Sequence, residues 1–486
     1  MVPSPSRGVN RSNQSHDSPA SPSGLSLLQI LRLGLFQGCL GTMAVVFAGL
    51  LNRIMLTELA FPGLLVGGAL AFEQLVAPSR VLFGQISDAK AFQGRHRVPY
   101  VVTGSVFYCL IAVLSVPLIF FVGHAIATDD SRAFWGGATA LCGLFALFGL
   151  AVAMATTPYL ALVIDRTTEK ERPRAVGIIW CMLTVGIIVG AVCISITLGS
   201  VDGVTDPAVL QPALQRFMIQ LALVVVALTV VACWGMEPRG GSRRSGSRNP
   251  EEMMTLPRTW ALLTSSRQTF VFFGFLVLFS LGVFLQDPIL ESYGADVFDL
   301  PISKSTILNA LWGAGTLLGL LLAGFLITPK LGKMASSRLG CQLTTLSLAL
   351  LFLAGCTGQA MVLQVVMVLF GCAVGIATNA ILSLMLDLTL PEAAGTFVGA
   401  WALAQALSRA LGKLMGGGLL DLGHVFVPDG WGATWLPSAF PAYGFVLFVE
   451  VLVMAAATWS LGAVRVHQFR GDTAGTLTKV LALELD

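Results

Sequence analysis

From residue 30 to residue 463 the chain alternates between long apolar stretches and short polar breaks, and few folds tolerate that pattern. At 1.5 Å per residue, a helix of about 20 apolar residues crosses a bilayer core of about 30 Å. Lipid offers no partner to backbone N–H and C=O groups, so each stretch must satisfy its own as a helix. Twelve stretches qualify: 30–55, 61–84, 98–123, 134–164, 175–200, 215–236, 269–291, 306–327, 338–358, 360–387, 396–420 and 440–463. Composition agrees, with 55% hydrophobic and only 11% charged residues, against about 25% charged in soluble domains. The expected class is an all-α integral membrane protein with 12 transmembrane helices.

The polar segments organise this array. Residues 237–268, EPRGGSRRSGSRNPEEMMTLPRTWALLTSSRQ, form the longest interruption and separate six stretches from six. Expected units are a disordered tail (1–29), an N-terminal half (30–236), a central loop (237–268), a C-terminal half (269–463) and a second tail (464–486). The first 24 residues hold seven Ser and four Pro and no apolar run, a composition that cannot build a core. Counting loops alternately, 22 of 29 Lys and Arg fall on the side of both termini. Only Arg53, Arg132, Arg216 and Lys304 fall on the other, leaving Arg80, Arg409 and Lys413 inside stretches. Cationic loops stay in the cytoplasm, so both termini are expected there.

The chain also repeats itself. FGLAVAMATTPYLALVIDRT at 148–167 and FGCAVGIATNAILSLMLDLT at 370–389 share ten of twenty residues without a gap, at an offset of 222. Gly149/Gly371, Thr156/Thr378 and Asp165/Asp387 are pairs that apolar composition does not supply by chance. Each copy closes the fourth stretch of its half and runs in the same direction. Two parallel six-helix repeats, related by an axis along the membrane normal, describe the major facilitator fold. The loop after the second stretch, GQISDAKAFQGRHRVPY, resembles the facilitator signature through Gly84, Asp88, Gly94, Arg95 and Arg97. Its second-half counterpart keeps Gly324 and Gly332 but has Thr328 in place of the acid. Asp88 is therefore expected to cap a neighbouring helix, pair with Arg95 or Arg97, and gate the two halves.

Charges inside stretches are costly, about 2.5–3.5 kcal/mol each at mid-bilayer, and must face a cavity or a partner. Glu73 lies near mid-depth of the second stretch. Arg409 and Lys413 lie four residues apart on one face of the eleventh, and two like charges require an anion. A Glu73–Arg409 pair across the halves is the expected solution, with Arg80 on the Glu73 face reaching toward the cytoplasm. Asp165 and Asp387 end their helices where anions are unfavourable, so cationic partners such as Arg172 or Arg174 are expected. Glu450, midway along the twelfth stretch, has no evident partner and is read either as facing another protein or as protonated. Asn309 and Asn379 are read as interhelical hydrogen-bonding groups. The nine cysteines lie in apolar segments without a C-x-x-C pair and read as small buried hydrophobes. No phosphate-binding G-x-x-x-x-G-K-[ST] loop, catalytic triad or metal-ligand spacing occurs, so neither ATP nor nucleic acid is an expected partner, and no enzymatic reaction is expected.

Four blocks, LRLGLFQGCLGTMAVVFAGLLNRIMLTEL (31–59), APSRVLFGQISD with GRHRVPY, YLALVIDRTTEKERPRAVG, and NAILSLMLDLTLPEAAGTFVGAWALAQALSRALG (379–412), resemble the PucC/LhaA family. The resemblance covers 30–463. Asn52–Arg53, Arg97–Tyr100, and the run from Asp387 through Glu392, Trp401, Gln405 and Arg409 carry most of it. It implies assembly of light-harvesting pigment–protein complexes in a thylakoid or bacterial inner membrane. Its implied partners are light-harvesting polypeptides or pigment-synthesis enzymes, besides membrane lipids. It implies transient handling of (bacterio)chlorophyll rather than a tightly bound cofactor, with Glu73, Asn379 or a water as at most a weak magnesium ligand. A proton-coupled transporter of a small soluble solute, with Glu73 as the proton site, is the competing expectation.

Overall fold

A computed structural model describes residues 25–92, 94–167, 172–204, 206–237, 267–387, 394–426 and 436–464. The tail 1–24, the central loop 238–266 and the tail 465–486 lie outside the described residues, as do the side chains of Asp387, Arg172 and Arg174. Among the described residues, nine helices are long and apolar enough to cross a membrane by themselves. They are span 1 (Leu27–Glu58), span 3 (Val98–Ala127), span 4 (Ser131–Arg166), span 5 (Arg172–Leu198), span 6 (Pro207–Cys233), span 8 (Ile302–Leu331), span 9 (Lys333–Thr357), span 10 (Ala360–Asp387) and span 12 (Phe440–Leu461). Two more spans are interrupted: span 2 is Gly63–Leu75 and Ser79–Ala89, and span 7 is Arg267–Phe284 and Leu290–Phe298. Span 11, Ala394–Phe426, brings the described total to twelve, nine plus three.

Local chemistry sets the ends. Ser26 opens span 1 with a capping box, accepting from the Gln29 N–H while the Gln29 side chain accepts from the Ser26 N–H. Asp130 caps span 4 through the Arg132 and Ala133 N–H groups, and Asp206 caps span 6 through Ala208. Pro78 and Pro288 fall at the interruptions of spans 2 and 7, where proline removes a helical donor. Span 1 is underwound locally, with π-helical turns at Val46–Leu51 and Ile54–Glu58.

Packing follows the repeat. One apolar cluster draws almost wholly on residues 25–236 and a second almost wholly on 272–464. Within the first, a side chain on Gly149 of span 4 would overlap the backbone at Glu73 of span 2. Within the second, one on its repeat mate Gly371 of span 10 would overlap the backbone at Trp312 of span 8. In lipid, helices associate through close packing rather than hydrophobic burial, so the matched glycines preserve the same contact in both halves. Of the nine cysteines, all free, Cys181 and Cys193 are exposed on span 5, which corrects the uniform expectation of burial.

The halves meet along span 2 against span 11 and span 5 against span 8. On the first seam a side chain at Gly417 would strike the Gly63 carbonyl, and one at Gly67 the Lys413 carbonyl. Both contacts fall in the first two turns of span 2, at the end remote from the cationic loops.

Candidate functional site

The interior charges sort into three places: a closed end, a polar middle and the cationic loop end. At the closed end, spans 2 and 8 each begin behind a proline, Pro62 and Pro301, and neither has a side-chain cap of its own. The opposite half supplies one. The Asp421 carboxylate of span 11 accepts from the N–H of Gly63 (2.6 Å) and Leu64 (2.7 Å). Asp202, after span 5, accepts from the Ser303 N–H (3.1 Å) and hydroxyl. A carboxylate on a helix N-terminus meets both free donors and the positive end of the dipole. The same latch therefore occurs twice, once for each pseudo-symmetric pair of spans.

Beneath it, Arg53, which loop counting placed on the outer side, lies within span 1 as it continues to Glu58 and is 4% exposed. Its guanidinium lies 3.5 Å from Glu58 and donates to the Ser305 hydroxyl of the other half. Glu291 of span 7 is 1% exposed and accepts from Asn309 (2.5 Å) and Thr306 (3.3 Å). A side chain on Gly49, in the π-helical turn of span 1, would collide with that carboxyl. Asn52 donates to the Ala48 carbonyl (3.1 Å) and toward the Asp287 carbonyl (3.5 Å) across the halves. Asp296 accepts from the Tyr443 hydroxyl at 2.5 Å.

The polar middle departs from expectation. Spans 2 and 11 do meet, but Glu73 and Arg409 form no ion pair. Glu73 accepts from Gln74 (3.3 Å), and the Arg409 guanidinium carbon sits 4.4 Å from the centre of the Phe284 ring. The anion that Arg409 and Lys413 were expected to need comes from span 7: Asp287 lies 3.4 Å from Lys413, which is 5% exposed. Asp287 is also the foremost charged neighbour of Arg409, ahead of Arg80 and Glu73. Glu450 is completely buried, so of the two uses read for it the structure offers no exposed surface for the first. Neither of its oxygens has a hydrogen-bond partner, and it faces the backbone at Gln286, where span 7 is interrupted. Asn379 sits beside Gly324 of span 8 while the Glu73 backbone lies against Gly149 of span 4, so the two weak magnesium ligands named above belong to different helix contacts.

At the loop end, Arg97 pairs with Asp88 (2.6 Å) and Asp165 (3.2 Å) and donates to Ser87 (2.8 Å). Asp165 thus has a cationic partner in Arg97, while the side chains of Arg172 and Arg174 lie outside the described residues. The cap on span 3 is not Asp88 but Glu237, which accepts from the N–H groups of His96, Arg97 and Val98 at 2.6–3.1 Å. Gly94 takes φ +74° in a turn closed by the Phe92 and Arg95 backbones, and Gly332 takes +80° in the equivalent loop. These values explain why both glycines persist where the acid does not. Asp88, Arg97 and Asp165 belong to the first half and Glu237 opens the central loop, so these contacts brace neighbouring spans of the first half.

Sequence reasoning missed Asp202, Asp287, Glu291, Asp296 and Asp421. A signal existed in QDPILESYGAD: a proline inside a span, and acids at 287, 291 and 296 with near-helical spacing. Asp202 and Asp421 carry no such local signal, since the donors they serve are more than a hundred residues away in sequence.

Comparison with known proteins adds identity to this geometry. A Rhodobacter capsulatus protein named bacteriochlorophyll synthase 44.5 kDa chain is 30% identical over 91% of this chain and 98% of its own length. Protein PucC of the same species is 28% identical over 60% of this chain, and a protein from its puhA-bchM intergenic region is 28% identical over 62%. Those two alignments span 62% and 60% of the relatives' own length. Among solved structures, a bacterial homologue of the lysosomal transporter Spinster matches with TM-score 0.63 at 15% identity, over 92% of this chain and 97% of that one. An inward-facing bacterial homologue of ferroportin gives TM-score 0.63 at 16% identity, over 90% and 98%. The nucleoside transporter NupG gives 0.62 at 14%, over 90% and 99%. Likeness at that identity carries the major facilitator fold and nothing finer. The family model described as PUCC protein matches residues 50–469, and the chain is an integral membrane protein belonging to that family.

Proposed function

We propose that this protein assists assembly of photosynthetic light-harvesting complexes by handling (bacterio)chlorophyll between its two halves. The observation that carries the reading is family membership through residues 50–469, together with a near full-length relative named for bacteriochlorophyll synthesis. The geometry suits such a cargo. Two apolar bundles are latched at one end and carry a polar middle, which lets a flat apolar ring sit between helices while its polar groups meet Arg80, Arg409 and Glu73. The role on this reading is handling rather than bond-making. Partners on this reading are the light-harvesting polypeptides or pigment-synthesis enzymes. The location is a thylakoid or bacterial photosynthetic membrane, with both termini and the cationic loops in the cytoplasm.

The test is affinity purification in mild detergent from a pigment-making photosynthetic host, followed by absorption spectroscopy and protein identification. Pigment absorbance and antenna polypeptides eluting with the protein are the expected result; a colourless preparation without either overturns it. A second reading, a proton-coupled transporter of a soluble solute, draws support from one observation. Five interior acids (Glu58, Asp287, Glu291, Asp296, Glu450) surround two cations, Arg53 and Lys413. On that reading the proton seat moves from the half-buried Glu73 to the fully buried Glu291 or Glu450. Energised vesicles that accumulate a water-soluble solute, and stop doing so in Glu291→Gln, would favour it.

A further inference from the structure

We propose that the interruption of span 7 holds one alkali cation against Glu450, with both Glu450 oxygens and the Gln286 side-chain oxygen as ligands. The site does not depend on which cargo the protein handles. Glu450 of span 12 is 0% exposed, and neither of its oxygens accepts a hydrogen bond. Gln286, 4% exposed, stands at the break that Glu450 faces, and its Oε1 is equally bare. Its Nε2 reaches only the Val283 carbonyl of its own turn, at 3.5 Å. Three buried acceptors thus stand at one helix contact without a donor bonded to them. The contact is close: a side chain at Gly282 would press on the Met454 backbone, one turn past Glu450.

The charges at the break call for a monovalent ion. The charged neighbour of Glu450 is Asp287, another acid, and Asp287 is matched by Lys413 at 3.4 Å. Arg409 does not serve Glu450: its guanidinium lies against the Phe284 ring, and its charged neighbours are Asp287, Arg80 and Glu73. Asp296, on the second segment of span 7, is taken by Tyr443. One negative charge is left over where spans 7 and 12 meet. The first segment of span 7 ends there at Phe284, and a helix C-terminus adds partial negative charge. Backbone bonds through the break run from Leu285 to Leu281, Asp287 to Phe284 and Ile289 to Gln286. None of them uses the Gly282 carbonyl, the acceptor that Gln286 N–H would have in an unbroken helix. A proton meets one such oxygen, whereas a hard cation gathers several, and interrupted transmembrane helices bind Na+ through unwound carbonyls. Asn52 of the first half reaches toward the Asp287 carbonyl, so an ion here shapes a segment that touches both halves.

The experiment follows melting of the purified full-length protein in neutral detergent by intrinsic tryptophan fluorescence. Sodium, potassium and choline chloride are compared at equal ionic strength and neutral pH, choline being too large for a buried seat. Wild type, Glu450→Gln, Gln286→Leu and Asp165→Asn are each first checked for monodisperse elution. Wild type is expected to melt at least about 4 °C higher in sodium or potassium than in choline. Glu450→Gln, which keeps the shape and removes the charge, should narrow that difference to within about 1 °C. Gln286→Leu should lose at least about half of it, and Asp165→Asn, at the loop end, should keep it whole. Equal melting of wild type in all three salts, or a difference that survives Glu450→Gln, overturns the site. Stabilisation by acid instead of alkali ions, abolished in Glu450→Gln, assigns the seat to a proton and overturns the metal ion. None of these outcomes bears on pigment handling, which the co-purification above tests separately.

Discussion

The two ends of this molecule hold their charges differently. At the closed end the carboxylates cross between the halves: Asp421 caps span 2, Asp202 caps span 8, and Arg53 reaches Ser305. At the cationic loop end, Asp88, Asp165 and Glu237 are tied to Arg97 and to the start of span 3. Among the described residues, the contacts at the closed end thus tie the halves to each other, whereas those at the loop end brace the first half. The difference also separates buried from solvated electrostatics. Arg53 is nearly sealed, while Asp88 and Asp165 each keep 53% of their side chains exposed.

The largest effect should come from Arg53→Gln, which leaves Glu58 without its cation in a buried site. Removing one partner of a buried pair costs about 3–5 kcal/mol, and a thermal melt in detergent should record a loss of that order. A variant that melts like wild type would break the contrast drawn here. Gly417→Leu comes next, because its side chain must displace the backbone of span 2. Overpacking of this kind costs about 1–3 kcal/mol, and disulfide trapping between cysteines placed on spans 2 and 11 should become less efficient. Asp421→Ala strips the cap from span 2 and should cost about 1–2 kcal/mol. The double variant with Asp202→Ala should lose close to the sum of the two single effects, since the latches are separate. The smallest effect belongs to Arg97→Gln: its partners are half solvated, so about 0.5 kcal/mol is expected. Closed-end trapping efficiency should be unchanged in that variant, and a change there would show that the two ends are coupled after all.

Particular residues show why some of this was legible in advance. Gly149 and Gly371 were visible as a repeat because each serves a contact inside its own half, and duplication copied the contact with the residues. Asp88 and Arg97 were visible because loop neighbours meet locally. Arg53 was counted with the outer loops although it lies in the first apolar stretch, and span 1 runs on to Glu58 and brings it to Ser305 of the other half. Glu73–Arg409 was a reasonable pairing of the two charges nearest mid-depth. It failed because span 7 is interrupted at Asp287-Pro288, bringing a third charge to Lys413 and an aromatic face to Arg409.

By itself the amino-acid sequence determined the membrane class, the twelve spans, the duplication and the family, since each follows from hydropathy, period and local motif. Only the tertiary structure decided which ions meet and which are left alone. Pairing across the halves depends on helix interruptions and glycine contacts between spans hundreds of residues apart, and a charge buried in a low-dielectric interior is governed by the few ångströms around it rather than by its neighbours along the chain.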